Sequence, residues 1–182
     1  MSLPPIKSFE FNCFKDLLVR QNIRPAGDLE IVNQENHLKT LVVPVIPHSD
    51  YSPLYCWFNC YDYQHQHGGA VVFGWAIWQS KERGFLAQHH AVWKSEEGLY
   101  LDVTPSETGA KEIVFVPDNR APFDYHGLRV PFSLERTPDG VLYWMFARRR
   151  LDHFGIGVLS LTDKDRRVLS KMNSLKLFDY VY

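Results

Sequence analysis

Three side chains of the kinds that make and break acyl bonds occur in order along this chain. They are the thiol of Cys56 in Tyr55-Cys56-Trp57-Phe58-Asn59-Cys60, the imidazole of His90 in His89-His90-Ala91-Val92-Trp93, and the carboxylate of Asp102 in Leu101-Asp102-Val103-Thr104-Pro105. A thiol is a good nucleophile only as a thiolate, and a helix N-terminus with an imidazolium beside it favours that form. An imidazole can act first as base and then as acid when a carboxylate fixes its tautomer and stabilises its positive charge. The order predicts a cysteine nucleophile with its base and its orienting acid.

The elements that carry these groups can be read from capping and periodicity. Ser52-Pro53 suits a helix start and Gly68-Gly69 a stop, which predicts a helix over Pro53–His67 with Cys56 in or just after its first turn. On it Leu54, Trp57, Phe58 and Tyr61 form an apolar stripe beside a face of Cys56, Asn59, Cys60 and Tyr63. Lys39–Ile46, Ala70–Trp78, Gly84–Trp93, Leu99–Thr104 and Glu112–Val116 are rich in β-branched and aromatic residues and end in short turn-like segments, as strands of an antiparallel meander would. A helix over Phe9–Asn22, stopped by Pro25-Ala26-Gly27, precedes them. Short strands at Leu128–Pro131 and Val141–Phe146 and a closing helix at Asp163–Leu177 follow. Strand side chains alternate, so Gln88 and His90 share one face of their strand, Tyr100, Asp102 and Thr104 share one of the next, and His89 points away. Symmetric pairing about the Ser95–Gly98 turn sets Val92 near Tyr100 and His90 near Asp102.

Cysteine on a helix, histidine on a strand and aspartate on the following strand just before Thr-Pro resemble the core of the papain-like and transglutaminase-like superfamily. More narrowly, Cys56-Trp57-Phe58-Asn59, Gly74-Trp75-Ala76-Ile77-Trp78, His90-Ala91-Val92-Trp93 and Asp102-Val103-Thr104-Pro105 are similar to segments of a bacterial and phage family with no assigned activity. The resemblance covers roughly Ser52 to Pro117. It implies a papain-like α+β core, with the cysteine helix packed on an antiparallel sheet bearing His90 and Asp102. It also implies thioester chemistry on amide or ester bonds. In such a site one oxyanion donor is the backbone amide of the nucleophile and a second is a nearby side chain, for which Asn59 and Gln88 are the candidates.

Each of these residues also has a plainer reading. Cys56 suits burial as a small apolar residue, Cys60 lies deeper in the helix where the dipole helps less, and Asn59 can hold helix to sheet. His65 and His67 are two apart on a helix and face different ways, which argues against a shared metal ion, and no metal site is expected. Five tryptophans, nine tyrosines and twelve phenylalanines suit a core as readily as a substrate groove, and Arg148-Arg149-Arg150 suits a solvated strand end as readily as an anion site.

Composition sets the outer bounds. With 182 residues and 45% hydrophobic side chains, a single α+β domain is expected, its core over residues 39–117. A net charge of −1 gives no electrostatic case for nucleic acid or an anionic membrane. Three cysteines are too few for a disulfide framework, and neither a signal-peptide h-region nor a spanning run is present, which predicts a cytoplasmic location. No cofactor is called for, and nothing specifies an oligomeric state. The leading expectation is a cysteine-dependent hydrolase or acyltransferase acting on a peptide or protein amide. A non-catalytic peptide- or protein-binding module on the same fold ranks second, and a metal-dependent hydrolase using His89 or His90 third.

Overall fold

The computed structural model describes residues 1–20, 39–82, 84–118, 120–146, 149–151 and 155–181. In chain order the elements are α1 (Phe9–Arg20), β1 (Leu41–Pro44), α2 (Cys56–His67), β2 (Ala70–Ser80), β3 (Gly84–Lys94), β4 (Tyr100–Leu101), β5 (Glu112–Pro117), β6 (Arg129–Pro131), β7 (Ser133–Arg136), β8 (Leu142–Phe146), β9 (Arg149–Leu151), β10 (Ile156–Val158) and α3 (Asp163–Leu169). Two short 3-10 helices follow, Ser174–Leu177 and Asp179–Val181. The class is α+β with an antiparallel sheet in the order β1-β5-β2-β3-β7-β8-β9, while β4 pairs with β3 off that path and β10 pairs separately with β6.

The strands are antiparallel as expected, but they are not a meander, because β5 crosses to the far side of β2. Between β1 and β2 both edges of β5 are paired, and both its faces are buried, Val114 and Val116 in the cluster with α1 and Ile113 and Phe115 in the cluster on the other face. Strand β4 is also shorter than Leu99–Thr104. At Asp102 the chain leaves β3 and bridges to Val45, with Asp102 N–H donating to Pro44 O and Ile46 N–H to Asp102 O, each at 2.9 Å. The expected closing helix is broken: α3 stops at Leu169, and Ser174 then turns to donate its N–H and hydroxyl to the buried carboxylate of Asp62. The Pro25-Ala26-Gly27 stop and the Arg148–Arg150 side chains lie outside the described residues.

Both long helices cover the odd-numbered face of the sheet. Phe11, Phe14 and Leu18 of α1 pack with Trp75, Ile77 and Ala87, and Phe58 and Cys60 of α2 pack with Ala91, Trp93 and Leu169. The opposite face, that of the even-numbered residues of β2 and β3, carries a third cluster of Val43, Ala76, Val92, Ile113 and Phe115. Helix α2 begins three residues later than Pro53, since Leu54 takes a left-handed φ of 72° that no helix can contain. Its buried side is also not the apolar stripe: Cys56, Phe58, Asn59, Cys60 and Asp62 are buried, while Leu54 is exposed. The polar members are held by specific bonds, among them Asp62 accepting from Tyr51 at 3.0 Å and from Gln66 at 2.6 Å.

One edge of β3 is open. Strand β2 pairs along its whole length, but on the other side β7 reaches only Phe85–Ala87 and β4 only Trp93–Lys94. The amino-terminal half of α2 fills the interval, where Cys60 Sγ donates to Ala91 O at 3.3 Å and Trp57 Nε1 to His89 Nδ1 at 3.0 Å. Where β2 faces this region, Gly74 pairs with His90 on one side and Pro117 on the other. A Cβ there would stand 2.3 Å from the Val116 carbonyl oxygen, so only glycine fits between the strands. Gly74→Ala should therefore lower the urea unfolding free energy by about 2–3 kcal/mol, as overpacking does. A change below 0.5 kcal/mol would show that β2 and β5 do not approach this closely.

Candidate active site

Cys56, His90 and Asp102 are brought together at the open edge of β3. Cys56 is the first residue of α2, so its backbone N–H is among those with no partner inside the helix. The Cys56 thiol stands beside His90, whose Nε2 lies 2.9 Å from Asp102 Oδ2. A carboxylate only accepts, so Nε2 carries a proton and Nδ1 is the nitrogen that could serve as base. The other carboxylate oxygen, Oδ1, accepts the Thr104 N–H at 3.0 Å. The side chains of His90 and Asp102 keep 17% and 5% of their exposure, which thins the water that would screen their charges.

The expected pairing of His90 with Asp102 holds by face but not by register. Trp93 pairs with Leu101 and Lys94 with Tyr100, a slip of two residues that leaves each side chain on its expected face. Asp102 is thus a diagonal neighbour of His90, and an imidazole spans the gap.

Electrostatics separates the two adjacent histidines. Burial alone would lower the pKa of His90, but the charges of Cys56 and Asp102, with hydrogen bonds to both, hold it well above 6.5. His89 is the reverse case. Burial drives its pKa down to about 4, a shift that the Ala121 carbonyl opposes and the neighbouring His90 reinforces. Its Nε2 donates to Ala121 O at 2.5 Å and its Nδ1 accepts from Trp57, a pair of bonds that only the neutral ring can make. His89 also stacks beside Trp57 and Phe73 and meets Trp75 edge-on, so it joins helix, sheet and the loop after β5. Cys60 is fully buried, and burial pushes its thiol well above its ordinary pKa.

The two candidate oxyanion donors are placed differently. Asn59 is fully buried and its amide donates to Ser52 O at 3.0 Å and to Thr104 Oγ1 at 3.2 Å, tying the approach to α2 to the segment after Asp102. Gln88 is exposed, shares the face of His90 and lines a cleft of about 480 Å³ with Cys56, His90 and Asp102. A second cavity of about 600 Å³ lies away from this chemistry, beside Asp62 and Ser174.

Several supports had no sequence signal. Trp57 stacks flat on Phe123 at 4.6 Å, and Tyr125 donates to Trp57 O at 2.7 Å, so the loop after β5 clamps the first turn of α2. That loop is anchored by Asp118, which is fully buried and accepts from Trp75 and from the Arg120 guanidinium at 2.9–3.0 Å. Burial works against its negative charge, yet those donors hold its carboxyl below the usual range. Tyr55, next to the nucleophile position, donates to Asp165 of α3 at 2.5 Å. The pattern Asp102-x-Thr104-Pro105 did carry a readable cue, a short side chain accepting from the backbone two residues on.

Among the described residues no group of three or more His, Cys, Asp or Glu is arranged to hold a metal ion, and no helix is long and apolar enough to cross a membrane. Comparison of the chain with family models, curated proteins and solved structures returned no match.

The neutral state of His89 sets a pH dependence. As pH falls below 6.5 the unfolded chain takes up this proton before the folded one, whose value is about 4. The stability His89 contributes is full above pH 6.5 and declines by about 1.4 kcal/mol per unit towards pH 4. Between pH 6.5 and 5, urea unfolding of the native protein should lose about 2 kcal/mol more than that of His89→Gln. Equal losses in the two proteins would contradict a buried neutral His89.

Proposed function

We propose that the chain is a cysteine-dependent hydrolase or acyltransferase of amide bonds, built on a papain-like core. The observation that carries this reading is His90, bonded to Asp102 by Nε2 and standing beside the Cys56 thiol, at a helix start that opens on a cleft. In the reactive form Cys56 is a thiolate and His90 an imidazolium. The thiolate attacks the amide carbon, forming the S–C bond, while backbone N–H of Cys56 and the Gln88 side chain face the developing oxyanion. As the C–N bond breaks, the proton on His90 Nδ1 passes to the departing amine. The neutral ring then takes a proton from water or another acceptor, whose oxygen or nitrogen attacks the thioester. The C–S bond breaks and the thiolate and imidazolium return. Asp102 keeps Nε2 protonated throughout and opposes the ring's positive charge.

Site-resolved alkylation with iodoacetamide tests this reading. An ordinary thiol, with a pKa of about 8.5, loses most of its rate by pH 6. Cys56 should keep its pH 8 rate within about threefold at pH 6, while His90→Ala should lose about a hundredfold there and Asp102→Asn about tenfold. Half-buried Cys13 reports the background in the same digest. If Cys56 gains rate only near pH 8.5 and His90→Ala leaves that profile unchanged, the enzyme reading fails and the binding module takes its place.

A further inference from the structure

The cleft beside Cys56 is lined mainly by apolar side chains, with Gln88, Thr104, Ser106, Thr108 and Ser133 among them. Ala76, Trp78 and Ile113 line it from the sheet face that carries His90, Leu54 and Trp57 line it from either side of Cys56 in the sequence, and Met145 lines it from β8. At about 480 Å³ it is far larger than an acetyl group requires and falls in the range of sites that enclose small organic ligands. Its charged side chains besides His90 and Asp102 are acidic, and Met1 lines it as well. Glu107 is exposed, and Asp165 holds Tyr55 and Thr162 with its two oxygens. Among the described residues lining the cleft there is no lysine or arginine. An anion entering would meet two rim carboxylates, and the imidazolium that could attract it is already faced by Cys56 and Asp102. An apolar chain would instead gain by displacing water from aromatic and aliphatic walls.

Resting on the thioester reading above, we infer that this cleft holds the acyl half of the substrate, and that this half is uncharged and apolar. The amine or alcohol half leaves towards solvent. A series of activated esters isolates the acyl group: 4-nitrophenyl acetate, 4-nitrophenyl hexanoate, and the 4-nitrophenyl monoester of adipic acid, which has six carbons and a terminal carboxylate. In each case the Cys56 thiolate attacks the carbonyl carbon, the S–C bond forms, the C–O bond breaks, and nitrophenolate leaves with the electron pair. Acylation is followed by nitrophenolate release and by the mass of the Cys56 peptide, and each rate is divided by that of the same ester with N-acetylcysteine.

On that scale hexanoate should exceed both acetate and the adipate monoester at least tenfold. Trp78→Asp should remove most of the hexanoate advantage. Glu107→Lys, an exposed change that leaves the core alone, should raise the adipate rate about threefold. If Cys56 is acylated but acetate keeps pace with hexanoate, or the adipate monoester is fastest, the acyl assignment is overturned while the thiol chemistry stands. If no ester acylates Cys56 and its alkylation follows an ordinary thiol profile, the thioester reading falls and takes this inference with it.

Discussion

The arrangement of this molecule depends on a short interval of β3 edge that no strand among the described residues covers. Backbone groups along such an edge need partners, and an uncovered edge invites pairing with another chain. Here the edge is closed by the start of α2, with the Cys60 thiol serving the Ala91 carbonyl. Because β7 and β4 flank the opening, the helix can enter only between them. Lying over the odd-numbered face, it brings its first residue round the edge to His90 on the even-numbered face. A requirement of backbone satisfaction thereby places a thiol beside an imidazole.

The neighbouring histidines show how strand parity becomes chemistry. His89 faces the helices and is held neutral by a donor on one nitrogen and a carbonyl on the other. His90, one residue on, faces a thiol and a carboxylate and is held charged. Each supports the other's role. The rigid neutral ring fixes Trp57 and so the first turn of α2, while Asp102 is fixed by backbone bonds to Pro44 and Ile46. The charged ring sits between two groups whose positions are set by the sheet and helix rather than by its own bonds.

The local parts of this arrangement were legible in the sequence. Alternation separated His89 from His90, and the Ser95–Gly98 turn put Asp102 on the matching face, since a register error of two residues preserves the face. Glycines marked the end of α2, where Gly68 and Gly69 take φ values of 73°. Non-local features were not legible. The place of β5 beside β2, the opening between β7 and β4, and the clamp of Phe123 and Tyr125 on Trp57 depend on pairings between distant segments. Nor did the apolar stripe of α2 predict its buried side, because the Asn59 amide N–H groups donate to Ser52 and Thr104 and Asp62 accepts from Ser174, which no helical period reveals.

The central claim is that His90 is an imidazolium at neutral pH because Cys56 and Asp102 flank it, and nitrogen NMR of the histidine ring observes that state directly. In the native protein the His90 ring should titrate well above 6.5, and in Cys56→Ala it should titrate at lower pH. A native His90 that titrates near 6.5, unchanged by loss of the thiol, would contradict the account.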